Sequence, residues 1–422
     1  MKLGLNGLGR IGKLSLWHHV ARKHFSEIVV NVGRGVGTGL EHVAQVIEKD
    51  STFGHLSQYL HGCHGGRVIE QLDEASGSMV INGIPVRILR QHRNPAEIRW
   101  RDHGVRLVAD CTGAFLDPSL PAEQATGSLR GHLAAGAEKV LLSAPFKIKG
   151  SGVSMPKDAM TAIMGINHDD IDPENHNIIS AASCTTTCLA FLVKPLLNHF
   201  TADKILSASM VTVHAATSSQ TVLDSVPATN AKDLRKTRSV MNNVILTTTG
   251  AAKALSLVIP EMSKIGFMAE SVRVPVSTGS LIILTVNLQA DYLDANGNSD
   301  MEGAINRQVI NRIYQEAAQD PDMGGRLVYS EEQNVSSDMI GFPRAAAVVE
   351  ALETHTRTAY SVFDLDRIPG LSQEARDILG PHAHLLQVPV TQAVIYGWYD
   401  NELGSYANML GDLTVQVAGR ML

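Results

Sequence analysis

The opening stretch "MKLGLNGLGRIGKLSLWHHVARKHFSEIVVNVGRG" constrains the fold more than any other part of the chain. An apolar strand runs into Gly7, Gly9 and Gly12, spaced G-x-G-x-x-G. An amphipathic helix follows, and a second strand, "EIVVNV", closes about twenty residues later. With 36 glycines in the chain that spacing alone would arise by chance, so the strand before it and the helix after it carry the weight. Such a unit brings backbone amides and a helix N-terminus against a pyrophosphate. A βαβ unit without a nucleotide is the alternative that the motif by itself leaves open.

Further along, "MVINGIPVRIL" predicts a hairpin turned at Asn82-Gly83, and "VRLVADCTG" and "AEKVLLSAP" predict buried parallel strands. The expected fold class is α/β: a doubly wound parallel nucleotide-binding (Rossmann) domain over residues 1–182, followed by a second domain over 183–401. In that second part "ILSASMVTVHAAT", "ESVRVPVSTGS" and "LIILTVNLQA" are longer β runs, which predict an α+β domain with a largely antiparallel sheet. "GAINRQVINRIYQ" sets Ile305, Val309 and Ile313 on one helical face. A helix over 402–422, with Tyr406, Leu410, Leu413 and Val417 on one stripe, is expected to pack back on the first domain and complete it. Between Gly341 and Pro389, "FPRAAAVVEALETH" reads as a helix and "RIPGLSQEARDILGPHAH" as a loop with a short helix. That segment is short and is interrupted by Pro343, Pro369 and Pro381, so it reads as an insertion accessory to the second domain.

A chain of 422 residues, 44% hydrophobic and 18% charged, can bury the cores of two domains. Its net charge of −6, with "KDLRKTR" at 232–238 as the densest basic cluster, excludes a dedicated nucleic-acid surface. Four cysteines without a disulfide framework, and a first strand that starts at Met1 with no signal peptide, point to a reducing cytoplasm. No apolar run approaches the ~20 residues of a membrane span.

Two of the cysteines, Cys184 and Cys188, share the stretch "SAASCTTTCLAFLVKP". Side chains four apart on a helix have Cβ atoms roughly 5–6 Å from each other, beyond the ~3.8 Å of a disulfide. Zinc needs three or four ligands, and no second Cys/His cluster follows, so no metal is expected. A reactive thiol or two packed ones remain. "NIISAA" is β-prone, "SCTTT" is rich in capping hydroxyls and "CLAFLVKPLL" has a helical apolar pattern, giving strand, tight junction, helix. Cys184 then stands at a helix N-terminus, where unpaired amides and the helix dipole favour a thiolate, and Cys188 stands one turn inside as a structural residue. His214, which ends the strand of "MVTVHAATSSQT", is a candidate base for the thiol.

Six motifs occur together and in order: "NGLGRIG", "SCTTTC", "TVHAAT", "TTTGAAKAL", "VRVP" and "GWYDNELG". In this order and spacing the chain resembles the phosphorylating glyceraldehyde-3-phosphate dehydrogenase family over nearly its whole length outside 341–389. The resemblance implies an oxidoreductase that turns glyceraldehyde 3-phosphate and inorganic phosphate into 1,3-bisphosphoglycerate, reversibly, in glycolysis or gluconeogenesis, with hydride transfer to NAD(P). Cys184 would be the nucleophile that forms a hemithioacetal and then a thioester, with His214 as the base. Ser183, Thr185, Thr249 and Gly250 match the pocket for the attacking phosphate, and Thr217 and Arg273 match the residues that hold the substrate's own phosphate. Cofactor contacts fall on Asn6, Gly7, Gly9, Arg10, Ile11, Gly12, Gly33, Arg34, Thr112, Ser143 and Asn401, the last of them on the nicotinamide carboxamide. A homo-oligomer, a tetramer in the family, is also implied.

The departures from the family pattern are informative. Thr187 replaces an asparagine in the first turn after Cys184, and Leu403 and Ser405 stand where the family commonly has aromatic residues, so that an aromatic wall is either missing or supplied by Tyr406. The insertion between Asp338 and Trp398 puts a standard tetramer in doubt. At the end of the second strand, Gly33 occupies the position where NAD-binding units carry a carboxylate, and Arg34 follows at once. A guanidinium there suits a 2′-phosphate, so NADP is expected to be favoured over NAD. Arg34 directed into solvent, with NAD held by its other parts, is the alternative. Two rival functions stand beside the first: the same chemistry on erythrose 4-phosphate, with water resolving the thioester, and a nonenzymatic redox or cofactor sensor, which retention of both Cys184 and His214 disfavours.

Overall fold

The computed structural model describes residues 1–150, 152–290, 305–380 and 384–421. Gly303 and Ala304 of the predicted helix, Pro381 of the insertion and Leu422 of the predicted last helix lie outside the described residues.

β1 (Lys2–Asn6), α1 (Arg10–Arg22) and β2 (Glu27–Asn31) form the expected parallel βαβ unit. The sheet continues through β3 (Ile69–Asp73), β4 (Ser78–Ile81), β5 (Ile84–Leu89), β6 (Val105–Asp110), β7 (Lys139–Leu142), β8 (Ala159–Thr161) and β9 (Ile178–Ser180). Its spatial order is β8-β9-β7-β6-β1-β2-β5-β4-β3. The β4–β5 hairpin turns at Asn82 and Gly83, both at positive φ (50° and 81°), as a tight two-residue turn requires. β1 and β7 are buried on both faces, which is why they read as continuous apolar runs.

The second sheet has eight strands: β10 (Ile205–Ala215), β11 (Ile245–Thr247), β12 (Gly266–Val274), β13 (Ser280–Gln289), β14 (Leu327–Ser330), β15 (Ala347–Glu350), β16 (His355–Asp364) and β17 (Leu385–Tyr399). Only β10–β12 and β14–β15 pair in parallel. On one face lie α2 (Cys184–Lys204), α3 (Ala251–Val258) and α4 (Arg307–Gln319), and their Phe191, Leu255 and Ile313 share a core with Ile282, Leu284 and Ile395 of the sheet. α4 starts at Arg307 because Asn306 caps it, accepting from Val309 N at 3.0 Å. Its buried face is therefore Ile310, Ile313 and Tyr314, displaced from the expected Ile305, Val309 and Ile313.

The expectation of a helix over "FPRAAAVVEALETH" is wrong. Ala347–Glu350 is a wholly buried strand, parallel to β14 and antiparallel to β17, and Ala351–Glu353 is a single 3-10 turn. Alanine and valine in so short a run fit either element, and the open slot beside β17 decides for the strand. The short helix expected further on is present as α5 (Gln373–Leu379). β16 pairs along β17 from His355↔Val394 to Asp364↔Leu385, so this segment extends the second sheet. α6 (Asn408–Gly419) packs on α1, Leu410, Leu413 and Val417 join the apolar core of the first sheet, and Tyr406 is buried beside them.

Candidate active site

β1 and β6 end level, Asn6 beside Asp110, and the strand order reverses between them. That opens a crevice beyond the carboxyl ends of the strands. Gly7 sits there at φ 99°. A Cβ on Gly12 would lie 2.0 Å from the Gly7 carbonyl oxygen, whereas one on Gly9 would meet no protein atom within 4 Å. Gly12 thus permits close helix–strand packing, and Gly9 leaves clear the space before the first amides of α1, which no side chain caps. A dinucleotide fits these features. The floor of the crevice is a buried polar network: Asn6 Nδ2 donates to Asp110 Oδ2 at 2.8 Å, and Asn31 Nδ2 donates to Asn6 Oδ1 at 2.8 Å. Thr112 Oγ1 donates to Asp110 Oδ1 at 2.6 Å, and Ser143 N to the Asp110 carbonyl at 2.9 Å. Trp100 Nε1 donates to His132 Nδ1 at 2.8 Å, which leaves His132 Nε2 as the donor to Asp110 at 3.0 Å. Burial would raise the Asp110 carboxyl, but the bonds from His132, Thr112 and Asn6 outweigh it and hold the group below its usual range.

Two of the residues expected at the cofactor have side chains engaged elsewhere. The Arg10 guanidinium is engaged by Asp50 and Glu402, with Nε donating to Glu402 Oε1 at 3.0 Å, so its side chain is a strut between α1 and the segment after β17. Ile11, half-buried, packs on the apolar core of the first sheet. Gly33 is not a vacated carboxylate position: its φ is 67°, and a Cβ there would stand 2.8 Å from the His92 carbonyl oxygen. It lines a cavity of ≈ 600 Å³ together with Asn31, Arg34, Arg93, Thr112 and Phe115. Arg34 and Arg93 are both exposed, with no ion-pair partner among the described residues. Arg93 went unread in the sequence; its signal is "RNP" in the loop after β5.

Strand, junction and helix come in the order the sequence predicts. Ser183 caps α2, its Oγ accepting from Thr186 N at 3.1 Å, and Cys184 is the first helical residue. Thr187 Oγ1 donates to the Ser183 carbonyl at 2.9 Å, so the unusual threonine serves the first turn. β10 delivers His214, and Cys184 Sγ lies 3.4 Å from His214 Nε2. His214 Nδ1 lies 2.8 Å from the Ala215 carbonyl, and the tautomer that donates there turns the Nε2 lone pair toward the sulfur. Arg273 is the register partner of His214 on β12, with its Nη1 2.5 Å from His214 Nδ1 and its Nε buried without a partner. Cys188 is fully buried.

The electrostatics overturn one expectation. Burial pushes the Cys184 thiol up, against the pull of Arg273 and the Thr185 amide, so helix position alone does not make it a thiolate. Burial, and then the Arg273 charge, bring His214 down to about 3. The pair is neutral in this state, which leaves Nε2 free to accept a proton.

The remaining positions divide. Asn401 Oδ1 accepts from Thr278 Oγ1 and Ser280 Oγ, both at 3.0 Å, which fixes the amide with its Nδ2 free to donate. Thr185 Oγ1 is not open to a ligand in this state: it lies 3.0 Å from Tyr399 Oη, which also reaches Thr212 Oγ1 at 2.9 Å. Thr249 Oγ1 accepts from Ala251 N at 3.2 Å, and Gly250, the N-cap of α3, faces open space. Thr217 Oγ1 bonds Gln220 Oε1 at 3.0 Å. No hydrogen bond links Thr217 or Thr249 to the Cys184–His214 pair.

Residues 1–118 match the family described as "Glyceraldehyde 3-phosphate dehydrogenase, NAD binding domain", and residues 183–363 match its "C-terminal domain". The chain belongs to the glyceraldehyde-3-phosphate dehydrogenase family. It is 34% identical to the glyceraldehyde-3-phosphate dehydrogenase of Streptomyces coelicolor, over 100% of this chain and 99% of that one. Glyceraldehyde-3-phosphate dehydrogenase 2 of Bacillus subtilis is 34% identical over 100% and 98% of the two chains, and the Geobacillus stearothermophilus protein 30% identical over 100% and 99%. The C-terminal family match ends at residue 363, so α5 and β17 lie beyond it.

Proposed function

We propose that the chain is a phosphorylating glyceraldehyde-3-phosphate dehydrogenase, built on a nucleotide-binding unit of residues 1–182 completed by 402–422 and a catalytic unit of 183–401. The observation that carries this reading is the Cys184 thiol at a helix N-terminus, 3.4 Å from His214 Nε2. Cys184 Sγ attacks the aldehyde carbonyl as Nε2 takes the thiol proton and passes it to the forming oxyanion, giving a hemithioacetal whose hydroxyl proton Nε2 takes back as hydride leaves. When bound, the nicotinamide supplies the acceptor for the hydride whose loss leaves a thioester. Inorganic phosphate then attacks the acyl carbon and releases the acyl phosphate with Cys184 restored. Arg273, with its orphan Nε, together with Thr217, supplies donors for the substrate's phosphate, and Ser183, Thr185, Thr249 and Gly250 surround the attacking phosphate. For Thr185 that requires its hydroxyl to turn from Tyr399. Asn401 Nδ2 is the donor for the nicotinamide carboxamide.

Steady-state assays with glyceraldehyde 3-phosphate and erythrose 4-phosphate, with and without inorganic phosphate, test the reading. Phosphate-dependent turnover of the triose is expected; phosphate-independent turnover of the tetrose would assign the rival activity. Arg34 and Arg93 beside the cavity support use of both cofactors with NADP favoured, a charged hydrogen bond contributing ~1.5–3 kcal/mol. Arg34→Ala with Arg93→Ala is expected to lower kcat/KM for NADP at least tenfold more than for NAD. A tenfold preference of the unchanged chain for NAD would exclude that role. We also read the protein as a cytoplasmic homo-oligomer; Leu223, Val226 and Met268, all exposed in the single chain, support an interface, and light scattering measures it.

A further inference from the structure

The residue two before Cys184 is conformationally costly. Ala182 has φ 56° and is completely buried. A residue with a Cβ avoids the left-handed region and is held there only where its surroundings over-determine it. Ala182 N donates to Ser180 Oγ at 3.1 Å, and Ser180 Oγ donates to the Ala144 carbonyl at 2.7 Å. A further bond comes from the far end of the chain, with Tyr406 Oη donating to the Ala182 carbonyl at 3.0 Å. Tyr406 lies in a π-helical turn, Leu403–Ala407, closed by Ala407 N to the Glu402 carbonyl at 2.7 Å. Such a turn holds one residue more than an α-turn, and so re-aims the side chains that follow. Here it brings a buried phenol to the backbone of the nucleophile's own junction, in the segment where Leu403 and Ser405 carry no aromatic ring.

We propose that Tyr406 is a positioning residue for the nucleophile: by holding the Ala182 carbonyl it keeps the junction left-handed and thereby keeps Cys184 Sγ within reach of His214 Nε2. Without that bond the peptide between Ala182 and Ser183 rotates toward an ordinary conformation and carries the helix cap and the thiol with it. The inference rests on the reading of Cys184 as the nucleophile. Glycine enters the left-handed region without penalty, so Ala182→Gly removes the need for the tyrosine.

Tyr406→Phe is expected to lower kcat about ten- to a hundredfold, the scale of a small misplacement of a reacting group, with KM for the aldehyde within about twofold. It should also change the rate of Cys184 alkylation by iodoacetamide. Adding Ala182→Gly should restore most of both losses, and Ala182→Val in the otherwise unchanged chain should reproduce them. Unchanged kcat and alkylation in Tyr406→Phe, or a loss that Ala182→Gly leaves in place, would overturn the proposal; the second result would mark Tyr406 as an ordinary core residue. Activity surviving in Cys184→Ser would instead sink the functional reading on which the proposal stands, so the two failures are told apart.

Discussion

Burial raises both thiols of α2, and raises Cys188 well above its ordinary value, yet only Cys184 has an imidazole nitrogen within 3.4 Å. Cys184→Ser should therefore abolish turnover while Cys188→Ala keeps most of it, and His214→Asn should slow the reaction by about 10²–10⁴. Because the Cys184 thiol titrates above its ordinary range, its alkylation in the substrate-free protein should rise about tenfold per pH unit from pH 7 toward 9, as the thiolate fraction grows. A rate already level at pH 7 would show a preformed thiolate. Gly9 offers a second test at this scale. Its Cβ would meet no protein atom, so Gly9→Ala should leave Tm unchanged while weakening cofactor binding at least tenfold by titration calorimetry. Undiminished affinity would remove the pyrophosphate from that space.

Where α1 meets α6 the packing carries an acid-sensitive pair. His18 donates from Nδ1 to Asn408 Oδ1 at 3.1 Å, and its Nε2, 4.0 Å from Asp412, is buried and unpaired. His19 is buried with neither ring nitrogen paired, edge-on to His18 and Phe25. Burial, then Arg22, bring His18 to about 4, opposed by Asp412 and Asn408; burial, then His18, His24 and Arg22, hold His19 well below its ordinary range. The unfolded chain binds both protons near pH 6.5, whereas the folded chain takes up the His18 proton only near 4 and holds His19 well below its ordinary range. Stability is therefore complete above pH 6.5 and falls as pH drops toward 4, by on the order of 3 kcal/mol for His18 alone. Tm between pH 7 and 4.5 should decline less in His19→Leu than in the parent; parallel curves would place the acid sensitivity elsewhere.

In the whole molecule two features depend on parts distant in sequence. Arg10, tied to Asp50 and Glu402, joins the first turn of α1 to the segment that carries Asn401. Among the described residues β17 outruns β13, whose last pair is Gln289↔Val390 and whose next residue donates from Ala290 N to the Pro389 carbonyl, so residues 361–364 and 385–388 stand out as a two-stranded ribbon capped by α5. Val362, Phe363 and Leu385 are exposed on it. Replacing residues 365–384 with an Asn-Gly turn should leave kcat within about twofold, because among the described residues no hydrogen bond joins the ribbon to Cys184 or His214, while the mass seen by light scattering shifts. Loss of activity in a chain that still melts cooperatively would assign the ribbon to the site.

The βαβ unit, the place of Cys184 at a helix N-terminus and the last helix were legible in the residues themselves, because each rests on a local rule: glycine spacing before a helix, capping hydroxyls after a strand, an apolar stripe at helical period. What the tertiary structure decided is of another kind. The strand at Ala347–Glu350 exists because a slot beside β17 was open. Gly33 is a backbone requirement because the His92 carbonyl stands over it. The Cys184 thiol is raised because burial outweighs the helix terminus, Thr185 turns to Tyr399, and Arg10 turns to two carboxylates. In each case a group far along the chain sets the local field or fills the local space, and spacing within a motif carries no record of it.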